Sequence, residues 1–230
     1  MYEYLSETAT LPIDGYAGVL VGRVWLPGDP GGPAVVAIRA DGVFDLTTLV
    51  PTMSELCNLP DPTAVARSAE ARRIGDLAPI LVNSRWDRRD PAGPWLLPPV
   101  DLQALKAAGV TFAKSMLERV VEEQTKGNPS RAPAIRERIE SIVGADLRAV
   151  RPGSEAAARL KEHLVAQGAW SQYLEVGIGA DAEIFTKSQP MSAVGHGAEV
   201  GILPTSHWNN PEPELVLVVS AAGRIVGATL

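Results

Sequence analysis

A single cysteine, Cys57, stands among 230 residues. One thiol cannot form an internal disulfide, so nothing calls for an oxidising compartment, and a cytoplasmic protein is expected. No uninterrupted apolar stretch reaches the roughly 20 residues that a membrane helix needs. The start, Met1-Tyr2-Glu3-Tyr4, lacks the basic end and apolar run of a secretory signal. Positive charge is also short: 21 Lys and Arg against 27 Asp and Glu leave a net charge of −6, with a sequence pI near 5.2. Binding a polyanion by counterion release needs a basic face, so this balance argues against nucleic acid and anionic membranes as partners. A small anionic substrate stays open, because one lysine or a bound cation reverses the local field. Aromatic residues make up 5%.

Hydrophobic residues reach 46%, charged residues 21%, and mean hydropathy is +0.05. That balance describes a folded globular chain, not a disordered tail, a collagen-like rod or a disulfide miniprotein. With 21 Gly and 19 Pro, the chain should be loop-rich and β-containing. An α+β fold, mostly β, is expected.

Gly18 to Trp25, Ala34 to Ile38 and Val43 to Leu46 read as strands, with Asp41-Gly42 as a tight hairpin signal. Asp61 to Ile74 has helical composition, opened by Asp61-Pro62 as cap and first turn. Residues 1–90 are therefore expected to form a small α+β domain. A stretch rich in proline, 91–101, reads as a linker to a larger region over 102–230. Helices are expected over 110–126, 133–143 and 154–167, the first with Phe112, Met116 and Val120 as an apolar row supported by Leu117 and Val121. Ser154 should cap the third and Gly168 should close it. Segments 183–187, 199–203, 214–219 and 224–230 read as strands, the last two joined by a turn at Ala221-Ala222-Gly223. The final strand stops while still apolar, so the chain is expected to be truncated.

The richest chemistry lies in Trp208-Asn209-Asn210-Pro211-Glu212-Pro213-Glu214. In an extended chain, residues two apart project to one side, so Glu212 and Glu214 set two carboxylates together. They suit a hard divalent cation, or they sit on the solvent face of an edge strand. In Glu183-Ile184-Phe185-Thr186-Lys187, alternation puts Glu183 and Lys187 on one face: an acid/base group beside a cation, or a surface ion pair. Ser115, Glu118 and Glu122 share a helix face that either closes over a site or stays solvated. His196 lies in a glycine-flanked loop that could bring its imidazole to a substrate, while Cys57 reads as a packed thiol. There is no G-x-S-x-G, no P-loop and no zinc-type Cys/His set.

Taken in order, these segments resemble the fumarylacetoacetate hydrolase superfamily. Gly109 to Glu118 looks like its Gly-x-Asn-Tyr-x-x-His-x-x-Glu segment, Glu183 to Lys187 like its Phe-x-Lys strand, and Glu212-Pro213-Glu214 like its metal-binding Glu-x-Glu. Leu105 to Phe112, Trp170 to Val176, Asp181 to Lys187 and His207 to Glu214 are similar to the 2-keto-3-deoxy-pentonate (xylonate or arabinonate) dehydratase branch. The resemblance runs from about Leu102 to the end and loosely through the N-terminal unit.

The resemblance implies that 102–230 is the N-terminal part of a mixed β-roll in a homodimer or homotetramer. It implies Mg²⁺ (with Mn²⁺ or Ca²⁺ as substitutes) on Glu212 and Glu214, and catalytic roles for Glu183, Lys187, Glu118 and Ser115. Arg119, Lys187 and His196 would bind a small anionic 2-keto acid. Ser115 replaces the helix histidine that helps hydrolases activate water, a departure typical of the dehydratases. The family's third metal-ligand aspartate and a further lysine would lie beyond Leu230. The expected reaction is dehydration of a 2-keto-3-deoxy sugar acid to 2,5-dioxopentanoate in pentose catabolism. The alternatives are C–C hydrolysis of a diketo acid of acylpyruvate type and an inactive, truncated sugar-acid-binding module.

Overall fold

The computed structural model describes residues 3–109, 113–143, 150–181, 183–207, 209 and 211–230, without the side chains of 113–117, 142 and 143. Its antiparallel strands and separate helices make an α+β fold, as expected. The chain divides into two units: Met1–Ala104 together with Ser188–Leu230, and the uninterrupted stretch Leu105–Lys187.

The first unit opens with one helical turn, α1 (Glu7–Thr10), then β1 (Leu20–Leu26), β2 (Gly32–Arg39) and β3 (Gly42–Asp45). β1 pairs with β2 along its whole length, from Leu20 opposite Ile38 to Leu26 opposite Gly32. Short helices α2 (Met53–Asn58) and α3 (Pro62–Ala66) lead to β4 (Arg72–Gly75), α4 (Leu77–Asn83) and β5 (Trp95–Leu97), giving sheet order β4–β3–β2–β1–β5. β2 reads as an unbroken apolar run because both its faces are covered. Val35 and Ala37 pack with Leu46, Met53 and Leu56 on one side; Ala34 and Val36 pack with Leu77, Ile80 and Leu81 on the other. Within the proline-rich stretch, Trp95 stacks on Trp25 across β1 and β5, with centroids 5.7 Å apart.

The helix expected over 61–74 is much shorter. Asp61 caps it as read, accepting the Ala64 N–H at 3.0 Å, but it stops at Ala66. Arg39 of β2 donates to the carbonyls of Ala66 and Ser68 at 2.8 and 2.9 Å, which takes acceptors a longer helix would use. The chain then straightens to pair with the open edge of β3, where Arg72 meets Asp45 at 3.1 Å. Tertiary partners override local propensity here.

The second unit holds β6 (Leu105–Ala108), α5 (Ala113–Thr125), α6 (Ala132–Val143), α7 (Glu155–Ala166), α8 (Gln172–Ile178) and most of β7 (Ile184–Ser188). Its core is helical: Val120, Val121, Ile139, Leu164, Leu174 and Ile178 are buried together. Val120 and Val121 take the interior positions that the periodicity assigned, whereas the Phe112, Met116 and Leu117 side chains lie outside the described residues. Ser154 accepts the Ala157 N–H at 3.2 Å, and Gly168 turns the chain out of α7 with φ +62°. No described helix is long and apolar enough to cross a membrane.

After β7 the chain returns to the first unit. The strand expected over 199–203 is absent: among the described residues it finds no ladder partner, and its side chains are exposed. β8 (Val216–Val219) and β9 (Ile225–Thr229) form a hairpin that packs Val218 and Val226 against the core beneath α2. The Ala221 N–H donates to Asn58 Oδ1 at 2.7 Å and Arg224 donates to the Leu59 carbonyl at 3.2 Å, which ties that hairpin to the end of α2.

Candidate active site

The β6–β7 pair carries the candidate acid/base group. The Gly109 N–H donates to the Glu183 carbonyl at 2.9 Å, and Lys106 Nζ donates to Thr186 Oγ1 at 2.6 Å. Three residues back from Gly109 meet three residues forward from Glu183, the pairing of antiparallel strands. Strand alternation then puts Thr186 with Lys106 on one face and Glu183, Phe185 and Lys187 on the other. The Lys187 ammonium lies 6.0 Å from the Phe185 ring centroid, as same-face neighbours should. Glu183 and Lys187 are both exposed, so their charged groups are open to a ligand from solvent.

The slot around Glu183 is tight on its other side. Gly109 has no side chain, and a Cβ there would come within 3.0 Å of Glu183 Oε2 and inside the van der Waals radius of the Val176 Cγ1 methyl on α8. The carboxylate thus lies against bare backbone.

Of the helix residues singled out, Glu118 pairs with Arg136 of α6 at 2.6 Å, and both side chains are about two-fifths exposed. The hydrogen bond and charge of Glu118 push the Arg136 guanidinium further above its ordinary range. The Arg119 guanidinium lies 5.8 Å from the Tyr173 ring centroid on α8. Both α5 residues are thus engaged by neighbouring helices of their own unit. Ser115 lies on α5, and its side chain is outside the described residues.

His196, Glu212 and Glu214 belong to the first unit. His196 Nε2 is 3.0 Å from the Tyr4 carbonyl and 3.4 Å from Thr10 Oγ1, and its ring meets Tyr4 edge-on at 5.7 Å. The next residue, Gly197, accepts the Trp86 N–H through its carbonyl at 3.1 Å. The loop is therefore moored at both positions, and the imidazole fastens the N-terminal segment. Glu212 and Glu214 are exposed on the irregular segment that leads into β8. As carboxylates they offer the oxygen donors a hard cation selects, two of the six or more it takes. Among the described residues, no group of three or more His, Cys, Asp or Glu side chains gathers to complete such a set.

Sequence reading missed the most buried charge in the first unit. Arg23 and Asp101 face each other at 3.5 Å with side chains 5% exposed. Arg23 donates to the carbonyls of Pro98 and Val100 at 3.2 and 2.9 Å. Asp101 accepts the N–H groups of Met53, Ser54 and Leu102 at 2.7, 3.0 and 2.7 Å, two of them from the first turn of α2. An arginine inside the apolar run Gly18–Trp25 was the available signal. Beside this pair an open cleft of about 510 Å³ is lined by Thr52, Ser54, Glu55, Asn58 and Leu102 among others, and holds none of the residues read as catalytic.

One stretch of 48 residues is 44% identical to the 2-dehydro-3-deoxy-D-arabinonate dehydratase of Saccharolobus solfataricus. It covers 21% of this chain and 16% of that protein, so the chain matches about one-sixth of the relative's length. No family model matches the chain, and no solved structure matches it.

Proposed function

We propose that this chain belongs to the fumarylacetoacetate hydrolase superfamily and is a sugar-acid dehydratase, a hydro-lyase acting on a 2-keto-3-deoxy-pentonate. The observation that carries this reading is the 48-residue likeness to an arabinonate-type dehydratase. The paired strands that put Glu183 and Lys187 on one exposed face agree with it.

The substrate defines what the residues must do. Dehydration removes a proton from C3 and hydroxide from C4, which leave together as water; isomerisation then gives the aldehyde of 2,5-dioxopentanoate. Glu183 takes the C3 proton, since a carboxylate on an exposed strand face reaches a substrate carbon without rearrangement. Lys187, on the same face, binds the substrate carboxylate or the oxygen that gains charge. Glu212 and Glu214 would be this chain's ligands to Mg²⁺. Bound there, the cation would supply Lewis-acid polarisation of the 2-keto carboxylate. Glu118 joins a proton transfer by first releasing Arg136, and Arg119 meets a substrate carboxylate by leaving Tyr173.

The test is turnover of 2-keto-3-deoxy-D-arabinonate and 2-keto-3-deoxy-D-xylonate with and without Mg²⁺, on the wild type, Glu183→Gln and Glu212→Gln. The expected result is metal-dependent 2,5-dioxopentanoate, lost in both variants. Cleavage of an acylpyruvate into two acids, with no dehydration, would replace this reading with that of a C–C hydrolase.

A further inference from the structure

We propose that Gly109 is a positioning residue for the Glu183 carboxylate, an inference that rests on the reading of Glu183 as the acid/base group. The backbone of Glu183 is fixed first, by the Gly109 N–H on its carbonyl at 2.9 Å. Its side chain then lies back over the same glycine. A Cβ at position 109 would stand 3.0 Å from Glu183 Oε2 and 3.4 Å from Glu183 Cβ, and would overlap the Val176 methyl.

The two neighbours would yield differently to a side chain. Val176 is β-branched with one stiff torsion, so its methyl moves only with α8. Glu183 has three side-chain torsions and an exposed carboxylate, so it swings away at small cost. A methyl group at 109 therefore strains the packing through Val176 and relocates the carboxylate through Glu183. These are separable effects. Removing the Val176 methyls relieves the first and leaves the second, because the contact with Oε2 does not involve Val176. Misplacing a catalytic group by about 1 Å costs on the order of 100-fold in rate.

The experiment compares wild type, Gly109→Ala, Val176→Ala and the double variant. It reads the ¹³C signal of the Glu183 side-chain carboxyl at neutral pH, assigned with Glu183→Gln, together with melting temperature and the kcat and KM for 2-keto-3-deoxy-D-arabinonate. Val176→Ala should keep the wild-type Glu183 signal. The double variant should regain the melting temperature lost in Gly109→Ala yet show a displaced Glu183 signal. Its kcat should fall by about 100-fold with KM within twofold. A double variant with the wild-type Glu183 signal and kcat would overturn the proposal, since that is what Gly109 would give if it only made room for Val176. A displaced Glu183 signal with no turnover by the wild type would instead overturn the functional reading while the placement of the carboxylate by Gly109 stands.

Discussion

Asp101→Asn is the sharpest test of what holds the first unit together. The substitution keeps the shape and removes the charge. Asp101 accepts three backbone N–H groups, from Met53, Ser54 and Leu102, and faces Arg23 at 3.5 Å with both side chains 5% exposed. An asparagine has one acceptor oxygen, so its NH₂ must point at a backbone N–H or at the guanidinium. At least one donor of α2 or Leu102 is left unmade, and Arg23 becomes a buried charge without a counter-charge. Burial already pulls the Arg23 guanidinium below its ordinary pKa, and the Asp101 carboxylate is what pulls it back. Breaking a buried pair from one side costs about 3–5 kcal/mol, against roughly 5–15 kcal/mol of stability for a whole domain. At about 2–4 °C per kcal/mol, the unit should melt roughly 6–20 °C lower. Tryptophan fluorescence is a suitable probe, because Trp25, Trp86 and Trp95 all lie in this unit. Adding Arg23→Met to Asp101→Asn should recover part of the loss, since the stranded charge is gone, and the recovery stays partial because the Pro98 and Val100 carbonyls lose their donor while a backbone N–H still lacks its acceptor. Melting of Asp101→Asn within 2 °C of the wild type would refute the argument.

Two further predictions concern pH. Burial works to raise the pKa of Asp45, but Thr47 and the Arg72 guanidinium outweigh it and hold the carboxyl below its usual range. A depressed folded pKa means stability that is present above the unfolded value, near pH 4, and lost as pH falls through the folded one. Asp45→Asn should therefore lower the urea midpoint at pH 7 and flatten its decline in acid, as urea titrations from pH 7 to pH 2 would record. Burial, reinforced by the Asp101 carboxylate, pushes the Cys57 thiol up. Its contribution is full below the unfolded thiol value and falls as pH rises through the folded one. An aromatic disulfide reagent at pH 8 should label Cys57 only as fast as the unit opens, and labelling at the rate of a free thiol would contradict the burial.

Periodicity and turn chemistry were legible where a segment's own residues decide its structure. Val35 and Val36 face opposite covered sides of one sheet, so β2 showed as a continuous apolar run. Ser154 and Gly168 bound α7 through local hydrogen bonds and backbone preference, and both could be read directly. What failed depends on partners far along the chain. The helix at Asp61 ends early where Arg39 reaches the carbonyl of its last residue, Ala66, and that of Ser68 just beyond, and no local pattern announces that donor. Val200 and Ile202 alternate like a strand, but alternation alone supplies no neighbour to pair with. In the candidate site, the shared face of Glu183 and Lys187 follows from strand alternation, which a sequence displays. The mooring of His196 to Tyr4, the hold of Arg136 on Glu118 and the crowding at Gly109 are contacts between distant segments, which it does not.

The position of Glu183 in the chain gives this crowding a further meaning. The second unit begins at Leu105 and ends at Lys187, so its first and last elements are β6 and β7. Their pairing closes the unit on itself: the backbone bond from Gly109 to Glu183 and the side-chain bond from Lys106 to Thr186 join its entry to its exit. Closing a loop of this length costs only about 4 kcal/mol of chain entropy, small beside the roughly 1–2 kcal/mol per residue needed to order the helices between, so the pair holds only when those helices are folded. The same two strands carry Glu183 and Lys187, so the groups read as catalytic sit on the pair whose formation depends on the helices being folded. Local opening of the helical cluster should therefore loosen the β6–β7 pair and release the Glu183 carboxylate together, which makes the order of the carboxylate a measure of the unit's own stability.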